Sequence, residues 1–372
     1  MSDAERNKRL LREQREASQR RALPSALPGA APFELQNPLS GYTPATVMVS
    51  NDPPSYAPDA DFMAAAGGFP SQAMGPTFLS YGPMVAEGDV VFEEWESHIF
   101  GKDGTLYNNQ YCWRLRFEED TVVDMREYND THHAALIFGR HGGWDELQPP
   151  TSPRRRNRQS TLPTDEIETI FEVVDQFELD PRLLADVVPS AAPPPVPVEP
   201  GTEGNKALVR GLRHARAAGD PAVVGTFFAE GFRQFSAGEH PFGWDHLPYG
   251  EIYAPLVAHL DSPLTVRYGP LVADGDVVVE EMDVFARLDD GTVYNNWHCL
   301  FHDIRDGRIV QTREYLDTRH VWTVLGRWAP WAATPVPPRS TPRRSNLQSI
   351  AMSTQTPTML LDLEHWRPFD AS

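Results

Sequence analysis

A long internal repeat constrains the fold of this chain more than any other feature. Shifting the 372-residue sequence against itself by 187 positions aligns residues 81–140 with residues 268–327, and 27 of these 60 positions are identical. With a slightly different offset, residues 7–17 match residues 205–215. Solenoid repeats usually span ~20–50 residues. A repeat of this length therefore predicts a tandem duplication of a whole domain.

The domain boundaries follow from the repeat. Residues 189–204 are rich in proline and are expected to form an extended, semi-rigid linker. Two segments with the pattern Pro-Arg-Arg-x-Asn-x-Gln-Ser, in 151–160 and 340–349, are expected to form either a strap across the partner domain or a dimer contact. We expect a first domain at 1–160, a helical segment with the linker at 161–204, a second domain at 205–350 and a tail at 351–372.

Composition narrows the classes of function. The net charge is −19, which disfavours nucleic acid as a partner because phosphate binding requires a basic face. The first residues are too charged for a secretory signal peptide, and no apolar run reaches the ~18 residues of a membrane span. Cys112 and Cys299 occupy equivalent positions and are expected to lie unpaired in different domains, packed on the outer strand face. These features predict a cytoplasmic protein.

Each copy has the pattern of helices followed by antiparallel strands. Ser2 and Glu5 form a potential capping box for a helix at residues 3–20, and the equivalent helix begins near Asn205. Residues 222–232 are expected to form another helix. At least three strands follow, separated by turn sequences such as Arg-Asp-Gly. This order predicts an α+β fold in which helices cover one face of a curved sheet.

Strand alternation places Glu127 and Glu314 on the inward face of the last strand of each copy. Desolvation is expected to raise the pKa of such a carboxyl group, which would poise it as a general acid or base. The alternative is structural, with each glutamate paired to a buried arginine or tyrosine. His133 and His320 lie just past these strands and could either reach the mouth of the site or cap a helix.

The neighbouring strands add polar and aromatic residues to the same inward face, which forms an apolar cup suited to a ring-containing ligand. In each copy one of two adjacent glutamates is expected to be solvated. The asparagines of the Tyr-Asn-Asn motif could instead serve the end of the hairpin. A loop at 238–253 should bring further residues to the rim. The expected substrate-binding residues are Tyr107, Asn109, Tyr111, Trp113, Glu93, Tyr294, Asn296, His298, Glu280, Trp244 and His246.

Motifs for several other chemistries are missing from the sequence. It contains no phosphate-binding loop, no Gly-x-Gly-x-x-Gly after a strand, no Gly-x-Ser-x-Gly, no His-Glu-x-x-His and no Cys-x-x-Cys. These chemistries are therefore weakly supported, and we expect no metal site.

The repeated hairpins at 103–139 and 290–326 resemble the SnoaL-like branch of the nuclear-transport-factor-2-like (NTF2-like) superfamily, which includes ketosteroid isomerase. The first copy departs from the family in its helical opening. The resemblance implies two tandem cone-shaped α+β barrels with deep apolar pockets and catalysis without a cofactor. It also implies an acidic residue at the glutamate of Arg-Glu-Tyr, here Glu127 and Glu314. Members associate through the sheet, so an internal pseudo-dimer is expected and a homo-oligomer stays open.

These observations predict a cofactor-independent lyase or isomerase that acts on a hydrophobic, aromatic or polycyclic small molecule. The expected catalytic residues are Glu127, Glu314, His133 and His320. Three alternatives remain open: a non-catalytic binding or assembly module, an epoxide-hydrolase-like enzyme, and a protein with one active and one structural domain.

Overall fold

The computed structural model describes residues 2–25, 77–100, 106–107, 109–130, 168–173, 201–218, 221–236, 256–261 and 264–328. The expectations for His133, Trp244, His246, most of the linker and both Pro-Arg-Arg segments fall outside these residues.

The part that precedes the linker contains a long helix, a meander of strands and one later strand. These elements are α1 (Asp3–Ser25), β1 (Thr77–Glu87), β2 (Val90–Phe100), β3 (Leu106–Tyr107), β4 (Gln110–Glu118), β5 (Thr121–Asn129) and β6 (Thr169–Val173). The part after it contains α2 (Thr202–Ala218), α3 (Pro221–Gly225), β7 (Phe228–Ser236), β8 (Leu264–Tyr268), β9 (Val272–Asp274), β10 (Val277–Arg287), β11 (Val293–Arg305), β12 (Arg308–Leu316) and α4 (Thr318–Val324).

The strands form two sheets. The first has the order β1-β2-β4-β5, with β3 beside β2, and all of its pairs are antiparallel. The second has the order β6-β8-β10-β11-β12-β7, with β9 beside β10. Its last pair, β12 with β7, is parallel. Strands β2, β4 and β5 correspond in the repeat to β10, β11 and β12, and they neighbour one another in the same order.

Local sequence signals set several of these boundaries. The hydroxyl of Ser2 accepts a hydrogen bond from the backbone N–H of Glu5 at 3.3 Å, so the predicted N-terminal cap of α1 is present. Asp306 and Gly307 have φ angles of 50° and 69° between β11 and β12. Positive φ at both central residues is typical of the type I′ hairpin turn that Arg-Asp-Gly predicted.

Two segments differ from the expectation. Residues 222–232 were expected to be helical, but α3 ends at Gly225 and the chain enters β7 at Phe228. Strand β6 lies within the segment expected to be helical and pairs with β8 of the second sheet. Both strands depend on partners far away in sequence, and this tertiary pairing overrides local propensity.

Each sheet has an inward face that packs on its helix. Leu11 of α1 joins a cluster with Trp95, Trp113 and other residues of the first sheet. Leu208 and Leu212 of α2 pack on inward residues of the second sheet. The helices therefore cover the faces that carry the predicted site residues.

The outer faces of the two sheets pack against each other, and we call this contact the inter-repeat interface. Its apolar centre includes Phe92, Cys112, Tyr128, Val279, Cys299, Phe301 and Tyr315. The two cysteine sulfurs are free thiols that lie 3.5 Å apart. Sequence alone did not show that these equivalent residues meet.

Charged groups in the inter-repeat interface make reciprocal contacts. Glu94 accepts hydrogen bonds from Arg313 and Tyr315. The repeat-equivalent Glu281 accepts them from Arg126 and Tyr128. The expectation that one glutamate of each adjacent pair is solvated was therefore wrong, because the second sheet covers the outer face of the first.

Candidate functional site

The inward face of each sheet carries rows of residues held in register across three strands, and we call these two helix-covered faces the first and second cup. In the first cup, β2, β4 and β5 align Glu93 with Trp113 and Glu127, and Trp95 with Tyr111 and Asn129. In the second cup, the corresponding rows are Glu280–Leu300–Glu314 and Met282–His298–Leu316. The residues that side-chain alternation placed on one face of each strand therefore do share the inward face of each sheet.

Glu127 is a buried carboxyl group held by uncharged donors. Trp113 Nε1 donates to Glu127 Oε2 at 2.6 Å, and Asn129 Nδ2 donates to Glu127 Oε1 at 2.9 Å. Burial raises the pKa of Glu127 above its ordinary value, although both hydrogen bonds act in the opposite direction. This direction is the one expected from the sequence.

Glu314 has a different environment. Its Oε1 lies 2.7 Å from Nδ1 of His298, and its Oε2 accepts hydrogen bonds from Ser236 at 2.9 Å and Gln234 at 3.2 Å. Burial alone would raise the pKa of Glu314, but the hydrogen bond and charge of His298, together with Ser236, lower it. The expected rise in the pKa of Glu314 was therefore wrong, because these partners stabilise the carboxylate.

His298 presents its second ring nitrogen to the second cup. The residue is 1% exposed, and its Nε2 has no hydrogen-bond partner in the described part of the chain. When an ionised Glu314 accepts the Nδ1–H, the neutral ring carries its lone pair on Nε2. That atom can then take a proton from a bound molecule.

A second carboxylate in each cup is held by an arginine from the covering helix. Arg15 forms an ion pair with Glu93, and the repeat-equivalent Arg213 donates to Glu280 at 2.6 Å. Burial would raise the pKa of Glu280, but Arg213, with His302 and Arg216, lowers it to about 2. Glu93 and Glu280 thus fasten helices to sheets, and substrate contact by either one stays a prediction.

The second asparagine of each Tyr-Asn-Asn motif, Asn109 or Asn296, accepts backbone hydrogen bonds from the next residue and from the residue that follows the last strand. Asn109 Oδ1 accepts from the N–H groups of Gln110 and Asp130 at 2.7 and 3.0 Å. Asn296 Oδ1 accepts in the same way from Trp297 and Asp317 at 2.8 and 3.0 Å. This geometry matches the structural alternative, in which these side chains serve the end of the hairpin.

Two other predicted site residues of the second copy, Tyr294 and His320, lie beside the hydrogen bonds of Asn296. His320 Nε2 accepts from the backbone N–H of Asn295 at 3.1 Å, and Asp317 caps α4 by accepting from the His320 N–H at 2.9 Å. The Tyr294 hydroxyl accepts from Asn296 Nδ2 at 3.1 Å. Of Tyr107, the structure describes only the place of its backbone in β3.

Sequence reasoning missed several residues of the cups. The alternation that placed His298 inward also applies to His302, which contacts Glu280 and Thr312. A signal for Arg213 was present in the three-residue spacing of arginines along α2. Ser236 had no signal, because the first part of its strand, up to residue 232, was expected to belong to a helix.

The described residues show neither a metal-binding cluster nor a membrane-spanning helix. They contain no group of three His, Cys, Asp or Glu side chains that could hold a metal ion. No helix among them is long and apolar enough to cross a membrane.

No protein-family model matches the sequence, and no curated protein matches it either. Solved structures do match. Bal32a, from a soil-derived mobile gene cassette, has 19% identity and a TM-score of 0.29, over 33% of this chain and 97% of its own. An NTF2-like protein of Burkholderia xenovorans has 18% identity and a TM-score of 0.28, over 34% and 98%. A protein of Catenulispora acidiphila with a ketosteroid isomerase-like fold, in complex with trimethylamine, has 19% identity and a TM-score of 0.27, over 34% and 97%.

Proposed function

We propose that this protein is a cofactor-independent acid–base enzyme, a lyase or isomerase, whose active site is the second cup. The observation that carries the proposal is the buried His298–Glu314 pair with an unpartnered imidazole Nε2. The substrate class is a hydrophobic, aromatic small molecule, in keeping with the SnoaL-like resemblance of the sequence. The same resemblance supports two tandem cone-shaped barrels that pair as an internal pseudo-dimer, and the composition of the sequence supports a cytoplasmic location.

His298 would carry the proton. Its Nε2 would remove a proton from a carbon of the substrate next to a carbonyl group, and Glu314 would hold the imidazole in the required tautomer and stabilise the imidazolium. The imidazolium would then return the proton to another carbon in an isomerisation or to a leaving group in an elimination. Glu314 is suited to the orienting role because its pKa is lowered, so that it stays ionised.

A positive charge lies beside the same pair. Arg216 of α2 is 3.5 Å from Glu280, and its charge also contributes to the lowered pKa of Glu314. A developing enolate oxygen in the second cup would be stabilised by this charge, because a site shielded from water strengthens electrostatic interactions.

Among the described residues, the first cup has no such histidine–glutamate pair. The residue equivalent to His298 is Tyr111, and Glu127 is held by Trp113 and Asn129 instead of an imidazole. This difference supports the alternative with one catalytic repeat and departs from the expectation that Glu127 and Glu314 act alike.

Hydrogen–deuterium exchange at carbon tests the proposal without knowledge of the natural substrate. The full-length protein in D2O is incubated with phenylacetone and 2-tetralone, and proton NMR follows deuterium uptake beside the carbonyl group. We expect His298→Gln to slow the exchange by about 100-fold or more, the typical contribution of a general base. Glu127→Gln is the matched control and should exchange at the wild-type rate.

A second readout does not depend on turnover. Nitrogen-15 NMR of the imidazole should show the proton on Nδ1 of His298 at neutral pH, and Glu314→Gln should disturb this preference. Wild-type exchange in His298→Gln, or a proton held on Nε2, would contradict the assignment of His298 as the base.

A further inference from the structure

We propose that Cys112 and Cys299 are a site of oxidative modification, at which a disulfide forms and joins the two repeats covalently. The oxidant is hydrogen peroxide or another small, uncharged peroxide. This inference concerns the inter-repeat interface and does not depend on the proposed acid–base activity of the second cup. It follows from the position of two thiols that the fold brings together from residues 187 positions apart in the sequence.

The symmetry of the repeat explains why these two thiols meet. Cys112 has Glu94 and Tyr128 as its neighbours on the adjacent strands, and Cys299 has the equivalent neighbours in the second sheet. The hydrogen bonds across the interface are reciprocal, since Tyr128 donates to Glu281 and the equivalent tyrosine of the second repeat donates to Glu94. In a twofold arrangement, a residue meets its own equivalent only beside the axis. The two cysteines therefore mark the local axis between the repeats.

The surroundings of the two sulfurs favour a bond between them over any other cross-link. The sulfurs are 3.5 Å apart, and a disulfide requires about 2.05 Å, so they must approach each other by about 1.5 Å. Both cysteines are 0% exposed, and they lie in an apolar cluster with residues such as Phe92 and Phe301. The sequence contains two cysteines in all, so no third thiol of the chain competes for either one.

The oxidation balances with the peroxide as the acceptor of electrons. One thiol is oxidised to a sulfenic acid as the O–O bond of hydrogen peroxide breaks, and one water molecule is released. The second thiol then attacks that sulfur, which forms the S–S bond and releases a second water molecule. In total, the two cysteines lose two hydrogens and two electrons, and one hydrogen peroxide is reduced to two water molecules.

Burial sets the pace of this reaction. Burial raises the pKa of both Cys112 and Cys299, so the closed interface contains little of the thiolate that reacts with peroxide. The first step therefore proceeds through local opening of the interface, of the kind that folded proteins undergo. When the interface closes again, the second thiol lies beside the sulfenic acid and captures it before another peroxide molecule can react.

The disulfide would lock the two repeats at the centre of their contact. It would join positions that are 187 residues apart, and a cross-link that closes a long loop strongly restricts the unfolded chain. We expect the urea midpoint of the oxidised protein to rise by roughly 1 M. Reduction with dithiothreitol should reverse this shift.

Intact-mass spectrometry of the full-length protein tests the inference. The reduced protein is treated with hydrogen peroxide in native buffer, the peroxide is removed with catalase, and the protein is then unfolded and alkylated with N-ethylmaleimide. We expect a monomer that has lost two hydrogens and takes up no maleimide, and a pair of tryptic peptides joined through Cys112 and Cys299. Because the chain has two cysteines, a monomer of that mass contains this disulfide and no other.

Cys112→Ala is the matched control. Its remaining thiol has no neighbour to capture the sulfenic acid, so this variant should gain oxygen atoms instead of losing hydrogens. Treatment of the wild-type protein in urea, where the thiols are exposed, confirms that the peroxide is active.

Three results would overturn the inference. Native wild-type protein would keep both thiols under a treatment that oxidises them in urea, or both cysteines would gain oxygen without a disulfide, or the disulfide would join two separate chains. Each of these results is read from wild-type protein, so the test holds even if Cys112→Ala fails to fold.

Discussion

Two glutamates at equivalent positions of the repeat have opposite electrostatic character. Glu127 and Glu314 are both buried in their cups, yet the pKa of Glu127 is raised and that of Glu314 is lowered. The cause lies in their neighbours, since Glu127 contacts Trp113 where Glu314 contacts His298. Different partners thus leave Glu127 with a raised pKa and give Glu314 the lowered pKa that suits a carboxylate orienting a base.

The raised pKa of Glu127 predicts a pH-dependent cost to stability. The ordinary pKa is 4.5 and the folded value is higher, so the folded state keeps a proton where the unfolded state has lost it. The stabilisation that this bound proton provides is fully present below about pH 4.5 and is lost as the pH rises through the folded pKa of Glu127. Glu127→Gln does not titrate, so we expect its stability relative to wild type to increase over that range. Urea unfolding from about pH 4 to about pH 8 measures the difference.

The exposed Glu118 supplies the control for this experiment. The side chain of Glu118 is 66% exposed, and Glu118→Gln should have only a small effect on the free energy of unfolding. A constant difference for Glu127→Gln would contradict the raised pKa.

At the scale of elements, Arg213 attaches helix α2 to the second sheet. It donates to Glu280 at 2.6 Å and to the carbonyl of Gly269 at 2.9 Å, and its guanidinium lies 4.5 Å from the centre of the Tyr268 ring. Arg15 of α1 stacks in the same way over Tyr81 at 4.3 Å. Each helix is thus positioned over its cup by an arginine as well as by apolar packing.

Glu280→Gln should loosen this attachment. The pKa of Glu280 is about 2 in the folded state against an ordinary value of 4.5, a difference that corresponds to about 3 kcal/mol. This stabilisation is fully present above about pH 4.5 and is lost as the pH falls towards about 2. We therefore expect Glu280→Gln to lower the free energy of unfolding by about 3 kcal/mol at neutral pH and by less in acid. Urea unfolding at several pH values measures it.

An exposed ion pair is the matched control for Glu280→Gln. Asp261 and Arg287 are 53% and 57% exposed, and Asp261→Asn should change the unfolding free energy by less than about 1 kcal/mol. An equal effect of both substitutions would show that the Glu280–Arg213 pair does not hold the helix.

The same elements show how far sequence reasoning reaches. Alternation and turn residues are local signals, and they were sufficient to predict the order of β2, β4 and β5 and the inward face of Glu127. Strand β7 has no local signal, because its pairing with β12 joins residues about eighty positions apart. The surroundings of Glu314 include Ser236 of that strand and could not be predicted without it. The partner of His298 could be inferred only once the register of β11 and β12 was known.

At the scale of the whole molecule, the inter-repeat interface is reciprocal in its partners but unequal in its charges. Glu281 lies beside two arginines, Arg126 and Arg114, whereas Glu94 has Arg313, which also binds Asp303. The residue equivalent to Arg114 in the second repeat is Phe301. Burial raises the pKa of both glutamates, but only Glu281 has enough positive charge nearby to lower it overall.

This inequality predicts that the two halves of the interface contribute unequally to stability. Glu281→Gln would leave Arg126 and Arg114 buried with less negative charge, and removing one partner of a buried ion pair typically costs about 3–5 kcal/mol. Glu94→Gln should cost less, since the raised pKa of Glu94 means that desolvation outweighs what Arg313 and Tyr315 contribute. Urea unfolding at neutral pH should therefore rank Glu281→Gln as the less stable variant.

Glu13→Gln, which removes an exposed pair with Arg9, is the control and should have a small effect. The reverse ranking of Glu281→Gln and Glu94→Gln, or equal losses, would contradict the unequal interface. The predicted ranking would mean that two differences between the repeats, Arg114 against Phe301 and Arg116 against Asp303, place most of the electrostatic stabilisation on one side. The arginines of the first repeat would then bind the second repeat chiefly through Glu281. The interface would be asymmetric, as are the two cups that it joins, since the first is aromatic and the second contains a histidine.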